Sequence, residues 1–231
     1  MRTISEKEYC HDKLGERFEQ ALSRYDTQRR VEILIDRFLG EDRLAGREAL
    51  DVGAGLGYFS KRMKHCGAHV TACDIGSQLL KRVEESVGCR CERVDVFSLA
   101  EHFGPASFDV VVSSECIEHT PDPARAVEQM CHVLKPGGWL ALSTPNVVWS
   151  PVVKLATALH LRPFDGLENF SSFGSLQRVL ETDGVDVMEQ YGLHLFPFQL
   201  PLHKLSRWTD DHLQVLKRVM INICVLGRKR F

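Results

Sequence analysis

The feature that most constrains this chain is an alternation. Between residues 48 and 143, short apolar runs trade places with segments of helical periodicity. The apolar runs fall near 48–52, 69–73, 90–94, 108–113 and 138–143, and the helical segments near 57–66, 77–86 and 123–134. Strands that alternate with helices make βαβ units, and these build a parallel sheet with both faces covered. Downstream, a helix at 174–183, a strand at 185–191 and a last strand at 219–228 extend the pattern. Upstream, residues 3–22 and 27–39 read as two helices, the second carrying Ile33, Leu34, Phe38 and Leu39 between charges.

The chain has 231 residues, enough for one α/β domain with a real core. Its formal net charge is −2, from 29 Lys and Arg against 31 Asp and Glu, so no global footprint for nucleic acid or an anionic membrane exists. The one local bias is basic: seven Lys and Arg against two Asp from Lys204 onward, read as a solvated tail. The first twenty residues are too polar for a signal peptide and no apolar run is long enough to span a bilayer, so a cytoplasmic protein is expected. Eight cysteines are scattered without a C-x-x-C pair and are expected to be reduced core thiols.

The first strand runs into "ALDVGAGLGYFS", residues 49 to 60, with Asp51 followed by Gly53, Ala54, Gly55 and Gly57. A strand, a glycine turn and a helix present backbone N–H groups to a ligand. The dinucleotide fingerprint G-x-G-x-x-G needs its third glycine one position later and carries no acid inside the strand end. An Asp at that place would repel a pyrophosphate. The pattern D-x-G-x-G-x-G instead resembles motif I of the class I S-adenosylmethionine-dependent methyltransferases, and the resemblance covers roughly residues 45 to 145.

Three further elements carry the resemblance in order. Asp74, in "VTACDIG" with Ile75, stands where the family's acid accepts hydrogen bonds from both ribose hydroxyls; Asp95, in "RVDVFSL" with Val96 and Phe97, stands where the family binds the adenine. "FDVVVSSECIEHTPDP" and "LKPGGWLALSTPN" resemble the fourth strand with its exit loop and the fifth strand. The competing reading, that Asp51, Asp74 and Asp95 merely cap turns, must explain three strand-end acids at once. The resemblance implies a Rossmann-like α/β fold: a seven-stranded, mostly parallel sheet with helices on both faces and the last strand antiparallel. It implies one domain over residues 1–231, with an N-terminal helical lid (1–45), a cofactor-binding core (46–144) and a C-terminal half with substrate-covering inserts (145–231). The implied cofactor is S-adenosyl-L-methionine, leaving S-adenosyl-L-homocysteine.

Methyl transfer from a sulfonium needs a nucleophile in line with the methyl and, for an alcohol or phenol, a base. Ser114 matches the family position at the methionine end of the cofactor. His119 is the natural base, since its side chain titrates nearest neutrality. Glu115, Glu118 and His119 also form E-x-x-E-H, which resembles the loop of ubiquinone-pathway O-methyltransferases, where the triplet can hold a divalent cation such as magnesium. Small-RNA 2′-O-methyltransferases carry a similar E-x-x-E-H. Where related sequences often read E-H after the fifth strand, Glu168 and Asn169 stand here. "YDTQRRVEIL" resembles the stretch in which an Arg reaches the cofactor carboxylate, Arg29 being the better match and Arg30 its neighbour.

The expected activity is methyl transfer to a hydroxyl of a small apolar or aromatic acceptor, with no nucleic-acid partner. Small-molecule N-methylation and RNA 2′-O-methylation stay open beside it. Two irregular inserts, rich in aromatics such as Phe164, Phe170, Phe173, Phe196, Phe198 and Trp208, are expected to cover the pocket together with the N-terminal helices, where Tyr9, His11 and Tyr25 lie.

Overall fold

A computed structural model describes residues 23–159 and 167–231. The expected helix at 3–22, with Tyr9, His11 and Cys10, and Phe164 of the first insert lie outside the described residues.

Seven strands form one sheet in the order β3-β2-β1-β4-β5-β7-β6. They are β1 (Glu48–Val52), β2 (His69–Asp74), β3 (Arg90–Arg93), β4 (Phe108–Ser114), β5 (Leu134–Pro145), β6 (Val185–Leu193) and β7 (Asn222–Lys229). The pairs from β3 through β5 are parallel, and β7 runs antiparallel to both β5 and β6. The strand order reverses between β1 and β4, which opens a crevice at their carboxyl ends. The glycine turn leaves one of those ends and the E-x-x-E-H loop leaves the other.

The helices are α1 (Arg24–Val31), α2 (Gly40–Leu44), α3 (Tyr58–His65), α4 (Ser77–Val87), α5 (Leu99–Phe103), α6 (Pro123–Val133), α7 (Ser150–Ala158), α8 (Phe173–Thr182) and α9 (His203–His212). Alternate residues of the central strands face two apolar layers. Leu50, Val52, Val111, Leu140 and Leu142 pack with Val127 and Met130 of α6 and Leu176 and Leu180 of α8. Ala49, Val110, Val112 and Ala141 pack on the other side with Phe59 and Met63 of α3 and with Leu34 and Phe38.

Three boundaries differ from the sequence reading. The helix expected over 27–39 is α-helical only to Val31, and Glu32–Leu39 is wound as a π-helix. Its apolar residues recur five apart, Ile33 to Phe38 and Leu34 to Leu39, and an i→i+5 winding keeps such pairs on one face where 3.6 residues per turn would spread them. Strand β5 begins at Leu134 rather than 138, because "KPGGW" is an irregularity inside it: Phe108 pairs with Leu134, but Val110 already pairs with Trp139. Strand β7 begins at Asn222, after a 3₁₀ turn over Gln214–Val219. The seven described cysteines are free thiols.

Candidate active site

The turn after β1 works only because Gly53, Gly55 and Gly57 all take left-handed backbone, with φ of 71°, 53° and 76°. The Gly53 and Ala54 N–H groups both donate to the Cys73 carbonyl, at 2.9 and 3.1 Å, which ties the turn to β2. At Gly53 there is no room for a side chain, since an added Cβ would lie 2.6 Å from Cys116 Sγ. Helix α3 starts at this turn with Gly57 as its N-cap and no side-chain cap.

Three acids stand around the turn. Asp74 closes β2 and accepts from Gly55 N–H at 3.0 Å and Gly76 N–H at 2.9 Å, one carboxylate clamping two loops. Asp51 is buried and accepts a short hydrogen bond from the Ser60 hydroxyl. Burial pushes its carboxyl up to about 6, against the Ser60 contacts, and the nearby Asp74 charge adds to the rise. Asp95 opens the 3₁₀ turn Val96–Ser98 by accepting from Phe97 N–H at 3.1 Å. Beside these, Ile75 is half-buried and Val96 buried, with Phe97 partly open under the Arg125 guanidinium.

The loop after β4 is braced by β5. Ser114 Oγ lies 2.8 Å from Ser143 Oγ. Glu115 follows in left-handed backbone, φ 52°, and accepts from Ser143 Oγ at 3.2 Å. Ile117–His119 form a 3₁₀ turn in which Glu118 is 2% exposed and accepts from Thr144 Oγ1 at 3.2 Å. Burial raises the Glu118 carboxyl well above its ordinary range, and the Glu115 charge raises it further. Glu115 is raised too, by burial, with the Arg30 charge opposing. His119 Nδ1 lies 3.1 Å from the Leu167 carbonyl. A carbonyl can only accept, so Nδ1 donates, and the neutral ring carries its lone pair on Nε2, 3.8 Å from Glu118 Oε1. Asn169 then pins the loop, donating from its backbone to the Glu118 carbonyl at 2.8 Å and from Nδ2 to the Thr120 carbonyl at 2.7 Å.

This geometry corrects the expectation of a metal held by Glu115, Glu118 and His119. Each carboxylate is instead engaged by a hydroxyl of β5, Glu115 by Ser143 and Glu118 by Thr144. Among the described residues no group of three His, Cys, Asp or Glu is placed to hold a metal ion.

The two arginines separate as sharply. Arg29, the better match in sequence, points away from the loop and pairs with Glu32 at 2.7 Å and Asp211 of α9 at 2.8 Å. Arg30 lies about 100° round the helix. Its Nε and Nη2 are held by Asp26, the nearest contact 2.8 Å, while Nη1 donates to Ser114 Oγ at 2.6 Å. It is Arg30, then, and not Arg29 that reaches the crevice. Asp26 in turn meets the buried His194, a residue the sequence reading passed over because it sits in no motif.

A reversed-order parallel sheet closed by an antiparallel β7, with a glycine turn and an acid-lined crevice at its switch point, defines the Rossmann-like methyltransferase class. Comparison with known proteins bears this out. A family model described as a methyltransferase domain matches residues 23–190. Ubiquinone biosynthesis O-methyltransferase from Nitrosospira multiformis is 32% identical over 182 residues, 73% of this chain and 74% of that protein. The same-named protein of Cupriavidus pinatubonensis is 30% identical over 188 residues, 76% and 75% of the two chains. Among solved structures, an S-adenosylmethionine-dependent methyltransferase from Mesorhizobium loti superposes with a TM-score of 0.62 at 18% identity, covering 81% of this chain and 93% of that one. Magnesium protoporphyrin IX methyltransferase from Synechocystis, with S-adenosylhomocysteine bound, gives 0.64 at 15% identity over 88% and 83%. The chain belongs to the S-adenosylmethionine-dependent methyltransferases. No helix among the described residues is long and apolar enough to cross a membrane.

Proposed function

We propose that this enzyme transfers the methyl of S-adenosylmethionine to a hydroxyl of a small aromatic acceptor bearing an apolar tail, with His119 as the base. The observation that carries this reading is the His119 ring, whose Nδ1 is committed to the Leu167 carbonyl so that Nε2 is the basic nitrogen at the crevice. Glu118 Oε1 lies 3.8 Å from that nitrogen. Glu115 and Glu118 serve as braces of the loop rather than as metal ligands.

The crevice fits the cofactor in its chemistry. A glycine turn with no room for a Cβ at Gly53 allows close backbone approach, and Asp74 and Asp95 stand at the adenosine end. We assign Gly53, Ala54, Gly55 and Gly57 to that approach, Asp74 with Ile75 to the ribose, Asp95, Val96 and Phe97 to the adenine, and Asp51 to the amino group. Ser114 and Arg30 are assigned to the carboxylate, Arg30 replacing Arg29 in that role. Bound there, the cofactor supplies an electrophilic methyl on sulfur; the protein orients the acceptor and takes its proton.

Two features support the acceptor class. The relatives are named ubiquinone biosynthesis O-methyltransferases, which favours a hydroxyl acceptor. The segment that leaves β5 beside Glu118 also exposes apolar side chains: Val148, Val152 and Leu155 are 53%, 54% and 61% exposed. Such a run of open hydrophobics marks a binding surface rather than a packed helix. The test is turnover with methyl-labelled cofactor on a phenol or catechol with and without a prenyl tail, beside an aryl amine and a structured RNA. Methylation of the tailed hydroxyl with the highest kcat/KM is expected; preference for the amine or the RNA overturns the reading.

The pH dependence of cofactor binding follows from Asp51. In the free protein its carboxyl titrates at about 6, so below that it is protonated, whereas a bound ammonium favours the carboxylate. Affinity for S-adenosylhomocysteine is therefore full above about 6 and lost as pH falls, to about a tenth at pH 5 of its value at pH 7. Calorimetry at the two pH values checks this, and Asp51→Asn should bind weakly and equally at both.

For Arg30, the probe is a pair of ligands. S-Adenosylhomocysteine carries the carboxylate and methylthioadenosine lacks it. Arg30→Lys is expected to weaken the first by about tenfold to thirtyfold, the loss of one bidentate geometry, and the second by less than about twofold.

A further inference from the structure

Behind Arg30 lies a chain of buried polar groups that neither the glycine turn nor the E-x-x-E-H loop uses. Arg30 presents Nε and Nη2 to Asp26, and Asp26 Oδ1 also meets His194 Nε2 at 3.0 Å. On the far side of the imidazole, Nδ1 faces Asp210 Oδ2 of α9 at 3.7 Å. Asp26 is 6% exposed, Arg30 4%, and His194 and Asp210 fully buried. Since the Asp26 carboxylate can only accept, His194 Nε2 donates to it.

The placement of His194 is unusual in two independent ways. Its backbone is left-handed, with φ of 64°, in a residue with a bulky side chain, which costs free energy unless the surroundings hold it there. It also joins three separate pieces of chain. It is the residue that follows β6, its carbonyl accepts from Ile221 N–H at 3.0 Å just before β7, and its ring stands between α1 and α9. Around it the insert grips α1 by other contacts: Tyr25 stacks on His203 with ring centres 4.1 Å apart, Arg29 pairs with Asp211, and Arg207 pairs with Glu32. Those contacts hold the outer side of the helix. His194 alone of these touches the acid that grips Arg30.

A guanidinium with one edge clamped has only its other edge to offer, and the clamp sets its direction. We infer that His194 is a positioning residue for the cofactor: by donating to Asp26 it fixes the carboxylate that aims Arg30 Nη1 into the crevice, so that the strand-β6 end and α9 set how well the cofactor's carboxylate is held. This rests on the reading of Arg30 as the carboxylate's partner. His194 itself touches neither cofactor nor acceptor.

The test uses the same two ligands on the full chain. His194→Asn suits a left-handed backbone, asparagine being among the residues that best tolerate it, yet its side chain is too short to reach Asp26. It is expected to weaken S-adenosylhomocysteine by about tenfold, the worth of one hydrogen bond to a charged group, and methylthioadenosine by less than about twofold. His194→Gln, which returns an N–H donor to the place of Nε2, should recover affinity to within about threefold. Asp210→Asn leaves Asp26 and Arg30 untouched and is expected to act in the same selective direction, about threefold. It supplies the reading should His194→Asn not fold. A loss shared equally by the two ligands, or no loss in any of these variants, overturns the inference. Arg30→Lys separates the two levels: if it too leaves the ligand ratio unchanged, the reading of Arg30 fails, whereas a shifted ratio there with none at His194 sinks the positioning role alone.

Discussion

Replacing His119 with alanine is expected to lower kcat by about a hundredfold to ten-thousandfold, the usual contribution of a positioned general base, while affinity for S-adenosylhomocysteine stays within about twofold. The separation follows from position. His119 sits on the 3₁₀ turn beyond Ser114, held at Nδ1 by Leu167, whereas Asp74 clamps the glycine turn from β2 and Asp95 opens the turn after β3. Removing the ring should therefore cost proton transfer and little binding. Label transfer on a saturating acceptor gives kcat, and calorimetry gives the affinity. A variant that keeps near-normal kcat would mean that the nucleophile needs no base, as an amine would not, and would move the enzyme out of O-methylation.

Gly53→Ala is expected to abolish cofactor binding and destabilise the fold. Two costs add. An alanine at φ 71° is strained by roughly 1–2 kcal/mol, and its Cβ would press on Cys116, with Sγ at 2.6 Å and Cβ at 2.8 Å. Cys116 cannot swing aside freely, since it enters the Ile117–His119 turn, whose Glu118 is pinned between Thr144 and Asn169. A fall in Tm of roughly 5–10 °C fits a total near 2–3 kcal/mol in a chain of this length. S-Adenosylhomocysteine should give no measurable heat. The double variant Gly53→Ala with Cys116→Gly removes the collision but keeps the backbone strain, so it should recover part of the Tm and little of the binding. Full recovery would show that the close approach of backbone to ligand is not what the glycine provides.

Much of this architecture was readable from residue order, and the exceptions share a cause. The strands β1 to β4 fell within a residue or so of their expected ends, because short apolar runs buried on both faces and the polar or glycine stops between them are local properties of the chain. The glycine turn and its three acids were readable for the same reason. Arg30 was not, since adjacent arginines look alike until the helix is rotated into place, and one residue is about 100° of rotation. The metal triplet misled in the opposite way. Its spacing allows convergence, but Ser143 and Thr144, nearly thirty residues on, engage the two carboxylates as braces of the loop. Asn169, by contrast, was noticed only as a departure from related sequences, and its work is to tie the loop carrying Glu118 and Thr120. His194 carried no signal at all: a single histidine among apolar residues gains meaning only when β6, α1 and α9 meet around it.

The order of the last two strands has a consequence for how the enzyme comes into being. Strand β7 lies between β5 and β6, yet it follows β6 in the chain. While the polypeptide is being made, the half that holds the glycine turn can already pair from β3 to β5, but β5 shows a bare row of backbone donors and acceptors along one side. Among the described residues, no earlier strand closes it. Asn222–Lys229 must slide into the gap last, and Asn222, Ile223 and Cys224 pair there with Pro145, Thr144 and Ser143, the latter two being the residues that brace Glu118 and Glu115. Competence for chemistry thus arrives with the final strand, and a newborn chain halted before it would present a sticky edge and a half-built loop rather than a slow enzyme.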